Sequence, residues 1–287
     1  MSAIQQTLSA YWRLTRMNRP IGIYLLLWPT LSALWLASDG RPSLHFVAVF
    51  VLGTTLMRAG GCAINDFADR HVDGQVARTR DRPLATGELR ARNAVWTFVV
   101  LSLLALALAL TLPSPAWPLL LPAALVAFLY PFTKRWIQQP QAVLGIAFGF
   151  GIPIAFAAAK GEVTGLGWFL FLMNFFWVLA YDTLYAMCDR PDDLKVGIKS
   201  TAVWLGDHDL WVVSVWHAVH MVGWIWIGLS ENLGGLFWLG FLVAAGLVIR
   251  QMWRVRDREP QVCLWAFLNN HWVGFSLFLG VVGGTWI

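Results

Sequence analysis

Two clusters of oxygen-bearing side chains are the part of this sequence that could carry out chemistry. In the first, Asn65, Asp69 and Asp73 follow one another at intervals of four residues. In the second, Asp189 and Asp193 are also four residues apart. Residues four apart share one face of a helix, so each cluster predicts a row of oxygen ligands. Mg²⁺ prefers such ligands and commonly bridges carboxylates to substrate phosphates, so the clusters predict a magnesium and diphosphate site.

Two charged residues lie deeper in the apolar segments that precede these clusters. Arg58 is seven residues before Asn65, about 10 Å deeper on the same helix face at a rise of 1.5 Å per residue. Asp182 is likewise seven residues before Asp189 and shares its face if the helix continues. Because an ionisable residue inside a membrane span is a functional candidate by default, we expect Arg58 to bind an anionic substrate group.

Basic residues follow both clusters and could bind phosphate oxygens, with arginine able to do so in a bidentate way. These candidates are Arg78, Arg82, Lys134, Arg135, Lys195 and Lys199. The alternative for each of them is that its charge only orients the chain in the membrane. Tyr185, one helical turn before Asp189, adds an aromatic face that can stabilise a carbocation.

Long apolar segments must position these residues. Hydrophobic residues make up 58% of the chain and charged residues only 13%, whereas about a quarter of a soluble domain is charged. Segments close to the length of about 20 residues that a helix needs to cross the hydrocarbon core recur along the chain. They are residues 21–37, 44–64, 94–112, 117–130, 142–159, 168–184, 210–229, 236–249 and 264–287. The sequence therefore predicts an all-α integral membrane protein, a bundle of about nine transmembrane helices forming one domain over residues 1–287.

The loops between these segments alternate between long charged ones and short ones. Residues 1–19, 65–92, 131–141, 185–209 and 251–262 contain most of the 21 Lys and Arg. The positive-inside rule then predicts that the N-terminus and both aspartate-rich loops are cytoplasmic. With the first span as an uncleaved insertion signal, we expect a multi-pass protein of a bacterial inner membrane. The net charge of +5 needs no nucleic acid partner, because topology and anionic lipids explain it.

Both aspartate clusters end a span that runs from outside to inside, and the span that ends in the second cluster comes four spans after the one that ends in the first. This parallel placement predicts an internal repeat of four helices with the site at the interface of the repeats. Two such clusters on one face of the membrane favour a functional metal site over two solvated loops.

The chain resembles the UbiA superfamily of membrane prenyltransferases. Its first signature is Asn65-Asp66-x-x-Asp69-x-x-x-Asp73 with Arg78-Thr79 and Arg82-Pro83-Leu84, and its second is Asp189-x-x-Asp192-Asp193 with Lys195-x-Gly197-Ile198-Lys199-Ser200. Within the superfamily the chain is most similar to the enzymes that prenylate 4-hydroxybenzoate for ubiquinone synthesis. The residues that carry this similarity include Arg19-Pro20-Ile21-Gly22, Met57-Arg58-Ala59-Gly60, Tyr130-Pro131-Phe132-x-Lys134-Arg135 and Tyr181-Asp182-Thr183-x-Tyr185.

The resemblance implies that a polyprenyl group moves from polyprenyl diphosphate to the carbon ortho to the phenol of 4-hydroxybenzoate, within the lipid bilayer. It implies Mg²⁺ as the cofactor, with Asn65, Asp69, Asp73, Asp189 and Asp193 as its ligands. The implied catalytic residues are Asp66, Asp69, Asp182 and Asp189. The implied substrate-binding residues are Arg19, Arg58, Arg78, Arg82, Lys134, Arg135, Tyr185, Lys195 and Lys199.

Two alternatives remain open from the sequence. One is a related prenyltransferase with another acceptor, such as haem or a naphthoate. The other is a cation transporter that uses the aspartates as its ion site. Transporter ion sites usually lie near the middle of the membrane at broken helices, whereas these aspartates lie at one surface.

Overall fold

Twelve α-helices joined by short connections make up the part of the chain that the computed structural model describes, residues 2–76 and 78–286. The helices are α1 (Ala3–Leu14), α2 (Ile21–Ala37), α3 (Leu44–Asp69), α4 (Ala91–Ala109), α5 (Leu120–Thr133), α6 (Pro140–Gly149), α7 (Gly151–Lys160), α8 (Gly165–Val196), α9 (Thr201–Leu205), α10 (Asp209–Ser230), α11 (Gly235–Arg254) and α12 (Pro260–Gly284). Short 3-10 turns cover Asp73–Gln75, Ser114–Leu119, Gly206–His208 and Val255–Asp257. Over the same residues no strand forms, so the predicted all-α class is confirmed.

The predicted spans match helices of the structure. Among the described residues, eight helical segments are long and apolar enough to cross a membrane, and α2 is a shorter apolar helix of 17 residues. The eight segments contain α3, α4, α5, α6 with α7, α8, α10, α11 and α12. The chain is therefore a multi-pass membrane protein with about nine spanning helices, as predicted. Ile287, with which the last predicted span ends, lies outside the described residues.

The helices that carry the aspartate clusters end later than predicted. Helix α3 continues from the apolar segment through Asp69, and α8 is 32 residues long and ends at Gly197. Gly197 has a φ of 71°, a left-handed conformation that glycine adopts without a steric penalty. Helix α8 also continues through Pro191, so Asp189 and Asp193 stay on one helix.

The prediction that Asp73 shares a helix face with Asn65 and Asp69 was wrong. The chain turns directly after α3, where the N–H of Val72 donates to the carbonyl of Asp69 at 2.9 Å. Asp73 then begins a separate 3-10 turn, Asp73–Gln75. Because the chain changes direction here, Asp73 lies beside the end of α3 and not one helical turn beyond Asp69.

Large side chains from several helices form the main buried cluster. Leu34 of α2, Phe156 of α7, Trp177 of α8, Trp224 of α10 and Phe237 of α11 are each at most 2% exposed. Buried hydrogen bonds join helices within this core: the indole N–H of Trp177 donates to Asn270 Oδ1 at 3.0 Å, and Asn270 Nδ2 donates to Gln251 Oε1 at 2.9 Å. Polar side chains that bond between helices in this way hold membrane bundles together and fix their register.

A buried ion cluster fixes the end of α8 to the loops beside it. Asp209, at the start of α10, is 0% exposed and accepts hydrogen bonds from the guanidinium groups of Arg190 and Arg258. The Nε atom of Arg258 is 3.0 Å from Asp209 Oδ1. Arg190 follows Asp189 directly, so this cluster also restrains the second aspartate cluster.

We expect Asp209→Ala to lower stability strongly, because it leaves two arginines without their carboxylate. Breaking a buried ion pair costs about 3–5 kcal/mol, and the partial exposure of Arg258 puts this case at the lower end. Asp257→Ala is the matched control, since it breaks an exposed pair with Arg256 whose separation is 3.4 Å and which contributes little. Thermal unfolding in detergent measures both, and equal shifts in Tm would contradict the expectation.

Candidate active site

A cavity of about 1260 Å³ extends through the bundle and is charged at one end and apolar at the other. Its apolar walls come from α3, α4 and α5, with Phe50, Leu106 and Ala124 among them. On α3 the lining runs from Val49 to Asp69, about 30 Å at the helical rise, which is the thickness of a hydrocarbon core. The cavity can therefore hold a long apolar chain with a charged group at one end.

Most of the predicted site residues line this cavity. They are Arg19, Arg58, Asn65, Asp66, Asp69, Asp73, Arg78, Arg82, Lys134, Asp182, Tyr185, Asp189, Asp193 and Lys199. The structure thus brings together residues from the start of α2, from α3 and the loop that follows it, from the end of α5 and from α8. The two aspartate clusters face one another across the charged end, which we call the rim.

Two predicted substrate-binding residues do not line the cavity. Arg135 donates a hydrogen bond to the carbonyl of Ala68, so it holds the last turn of α3. Lys195 has a side chain that is 74% exposed and pairs with Asp192 at 3.1 Å. The sequence motif contains both residues, but neither contacts the space where a substrate would lie.

The carboxylates of the rim are paired with basic side chains. Arg82 Nη1 lies 3.0 and 2.9 Å from the two carboxylate oxygens of Asp73. Lys134 Nζ is 2.9 Å from Asp69 Oδ2 and 3.2 Å from Asn65 Oδ1. A third pair joins Arg78 to Asp189, with Arg78 Nε 2.9 Å from Asp189 Oδ1. The charges of Asp69, Asp73 and Asp189 are therefore compensated within the chain.

Burial and charge pairing act in opposite directions on these groups. Burial raises the pKa of Asp73, and the nearby Arg82 lowers it by less, so the pKa lies above its usual value. Burial alone would lower the pKa of Lys134, but the charge of Asp69, the nearby Tyr130 and the hydrogen bond to Asp69 together outweigh it, and the pKa is raised. Lys134 therefore stays positively charged beside Asp69.

Tyr185 already has two close neighbours. The Arg78 guanidinium lies over its ring at 4.4 Å from the centroid, and the Phe267 ring is 4.5 Å away. A role for this ring in stabilising a carbocation therefore requires Arg78 to move off it. The Arg78 side chain thus contacts both the Tyr185 ring and Asp189 of the second aspartate cluster.

Asp66 has a different environment from the other rim aspartates. It is 0% exposed, and its Oδ1 lies 2.7 Å from Arg16 Nη2 and 3.1 Å from Arg82 Nη1. Sequence reasoning missed Arg16 as a site residue because Arg13, Arg16 and Arg19 together satisfy the positive-inside rule. The sequence feature that could have identified Arg16 was the spacing of three residues between these arginines, directly before the first span.

Arg58 lies below the rim and has no acidic partner among the residues that the structure describes. Its Nη1 contacts the sulfur of Cys62 at 2.9 Å, and its guanidinium lies 5.8 Å from the Phe148 ring centroid. Its Nε is buried without a hydrogen-bond partner. Gly22 makes room for it, since a Cβ atom there would be only 2.1 Å from Arg58 Nε.

The donor atoms at the rim are oxygens, the type of ligand that a hard divalent cation such as Mg²⁺ prefers. Carboxylate and amide oxygens from α3 and α8 face one space, and one oxygen of Asp66, Oδ2, is buried without a partner. Over residues 2–76 and 78–286, however, no three His, Cys, Asp or Glu side chains converge closely enough to hold a metal ion. Lys134 and Arg82 would have to release Asp69 and Asp73 for these oxygens to bind a metal.

A charged rim above an apolar cavity of this depth fits the class of membrane enzymes. The chain belongs to the UbiA prenyltransferase family, whose model matches residues 26–279.

Individual relatives agree with this assignment. The chain is 51% identical to a 4-hydroxybenzoate octaprenyltransferase of Pseudomonas aeruginosa, over 94% of this chain and 91% of that protein. It is also 51% identical to the protein of that name from Nitrosomonas europaea, over 97% and 95% of the two chains. Among solved structures, a UbiA homolog from Archaeoglobus fulgidus bound to GPP and Mg²⁺ has the same fold, with a TM-score of 0.74 at 20% identity over 96% of this chain and 99% of that chain.

We expect Arg16→Gln to destabilise the protein more than Arg13→Gln does. Arg16 compensates the buried Asp66, and a hydrogen bond to such a charged group contributes about 1.5–3 kcal/mol. Arg13 pairs instead with Glu88, whose side chain is 40% exposed, so water can replace the lost contact. The measurement is the Tm of each variant in detergent. A larger decrease in Tm for Arg13→Gln than for Arg16→Gln would contradict the prediction.

Proposed function

We propose that the chain transfers a polyprenyl group from polyprenyl diphosphate to the carbon ortho to the phenol of 4-hydroxybenzoate, in ubiquinone biosynthesis. Residues 1–287 act as one prenyltransferase domain. Support for the donor comes from the charged rim above a long apolar cavity. The curated relatives that are 51% identical carry this activity in their names. Family membership also favours an enzyme over a cation transporter.

The single observation that carries the choice of acceptor is the position of Arg58. A guanidinium at this depth in a membrane protein is costly unless an anion compensates it, and the described chain supplies no carboxylate within ion-pair distance. The carboxylate of 4-hydroxybenzoate would supply that charge. Its phenol ring would then lie between Arg58 and the rim, where the prenyl diphosphate begins.

Magnesium fits the oxygen donors of the rim. We propose that Asn65, Asp69, Asp73, Asp189 and Asp193 hold it, together with oxygens of the diphosphate. When bound, the metal ion supplies positive charge that neutralises the diphosphate as it leaves.

Basic residues of the rim bind the rest of the diphosphate. Arg78, Arg82 and Lys134 now neutralise carboxylates and would turn to phosphate oxygens, which guanidinium groups bind in a bidentate way. Lys199, which lines the cavity and donates to the carbonyl of Trp136 at 3.2 Å, adds a further cation at the same end. Arg19 also lines the cavity. Fixed positive charge where negative charge develops is the main means by which such sites accelerate bond cleavage.

The reaction then needs orientation and the exclusion of water. The allylic C–O bond breaks, and the electron-rich ring carbon ortho to the phenol forms a bond with the allylic carbon. Apolar walls from α3 to α5 keep water from capturing the cation. The prenyl tail would lie along those walls and reach lipid, while Asp66 keeps Arg82 at the rim through its buried ion pair.

We also propose that the rim faces the cytoplasm of a bacterial cell and that the membrane is the inner one. Support comes from the distribution of Lys and Arg, which are concentrated in the loops on the rim side. Polyprenyl diphosphate would then enter from the bilayer with its head at the cytoplasmic interface.

Prenyl transfer should require both aspartate clusters and a divalent cation. Asp69→Asn and Asp189→Asn should each lower kcat by about a hundredfold or more, since charge neutralisation by metal ions contributes several kcal/mol. EDTA should abolish turnover by the unaltered enzyme, and added Mg²⁺ should restore it. Asp257→Asn is the control, because Asp257 is 70% exposed and pairs only with Arg256. Full turnover of either rim variant in EDTA would refute the metal site.

The enzyme should prenylate 4-hydroxybenzoate and discriminate strongly against phenol. Arg58→Lys should raise KM for 4-hydroxybenzoate by about tenfold to a hundredfold, as expected for loss of a charged hydrogen bond of 1.5–3 kcal/mol. Gly22→Ala should have a similar effect without unfolding, because its Cβ displaces only the flexible end of Arg58.

Gly246→Ala provides the control, since no atom lies within 4 Å of a Cβ at that position. Equal kcat/KM for phenol and 4-hydroxybenzoate would mean that the carboxylate is not recognised. A naphthoate or haem acceptor would then be tested in the same assay.

A further inference from the structure

Asp182 is a buried carboxylate of the cavity without a role in the scheme above. It lies on α8, lines the cavity and is 8% exposed. In the described part of the chain, no side chain donates a hydrogen bond to it and no cation pairs with it. By contrast Asp66, Asp69, Asp73 and Asp189 each have a basic partner.

The depth of Asp182 matches that of Arg58. Asp182 is seven residues before Asp189 on α8, and Arg58 is seven residues before Asn65 on α3. Each is therefore about 10 Å below the oxygen ligands of its own cluster. Both line the same cavity.

We propose that Asp182 is the general base that removes the ring proton after the prenyl group has been attached. This inference rests on the proposed function, because it assumes that the acceptor ring lies between Arg58 and the rim. A carboxylate buried at this depth without a partner is unfavourable. The presence of an unpaired carboxylate at this depth is explained if one of its oxygens accepts a proton during the reaction.

The proton transfer balances the reaction. The C–O bond to diphosphate breaks, and a C–C bond forms between the allylic carbon and the ring carbon ortho to the phenol. That ring carbon then carries both the new bond and its original hydrogen, and the ring is cationic. The Asp182 carboxylate takes the proton, and the electron pair of the C–H bond restores the aromatic ring. The proton leaves later along the cavity towards water at the rim.

Other titratable groups of the lining fit this step less well. Asp69 and Asp189 have lone pairs already committed to Lys134 and Arg78. Tyr181, beside Asp182, has a buried hydroxyl without a partner, but a neutral phenol is a weaker base than a carboxylate. Asp182 combines a free carboxylate with the depth at which the acceptor ring is expected.

Deuterium at both ring positions ortho to the phenol of 4-hydroxybenzoate tests this role. We expect cleavage of the allylic C–O bond to limit the rate of the unaltered enzyme, so kcat should be the same for both isotopic forms. Asp182→Asn should lower kcat by about 10²–10⁴, the contribution of a general base. Deuterated substrate should then react clearly more slowly, because loss of the ring proton has become limiting. Asp182→Glu should recover part of kcat and reduce the isotope effect.

Asp193→Asn is the matched control on the same helix. It should slow the reaction through the diphosphate end and leave the two isotopic forms equal. A slow Asp182→Asn enzyme without an isotope effect, or one whose kcat is unchanged, would overturn the assignment. Complete loss of turnover in both the Asn and Glu variants of the folded protein would also overturn it. If the unaltered enzyme did not prenylate 4-hydroxybenzoate at all, the proposed function would fail, and this inference with it.

Discussion

The compensation of charge inside a low-dielectric bundle is the constraint on which this structure depends. A chain that concentrates aspartates at the end of a membrane cavity must neutralise them, because like charges at helical spacing repel one another. The structure does so with Arg82, Lys134 and Arg78, each paired with a different carboxylate. Asp66, Asp69, Asp73 and Asp189 are paired at the rim, whereas Arg58 and Asp182, which lie below it, have no ion-pair partner in the described part of the chain. The unpaired groups therefore mark where substrate chemistry is to be expected.

The same constraint explains why the helices that carry the site extend beyond the apolar segments. Helix α8, with 32 residues, is about 48 Å long, well beyond a hydrocarbon core of about 30 Å. Its last turns can therefore present Asp189 and Asp193 at the surface of the membrane. Buried aspartates, each held by two arginines, then fix the ends of these helices. Asp66 does this for α3 and Asp209 for the end of α8.

The sequence alone predicts the spans and most of the rim, because both follow from local patterns. Span positions depend on the length of apolar segments, and the two clusters depend on a spacing of four residues. What sequence reasoning missed depends on the path of the chain after a helix ends. Asp73 returns beside α3 through a turn, Arg135 bonds to a backbone carbonyl, and Arg16 reaches Asp66 from the turn that follows α1. No periodicity encodes those contacts, since each joins residues from different elements.

Internal pairing at the rim has a consequence for how a diphosphate can bind. A bound diphosphate would add negative charge to this space, and divalent ions would add positive charge. Each carboxylate could then bind a metal ion in place of its basic side chain, and that side chain could turn to a phosphate oxygen. Such an exchange leaves no buried charge uncompensated at any stage, and the penalty of removing one partner from a buried pair is avoided. Long, flexible Lys134 and Arg82 side chains suit this exchange, whereas Asp66, which is fully buried, holds Arg82 close to the rim. The fixed ion pair with Asp66 and the exchangeable pair with Asp73 thus meet at Arg82, so under the proposed function its position would link the stability of the fold to the binding of the diphosphate.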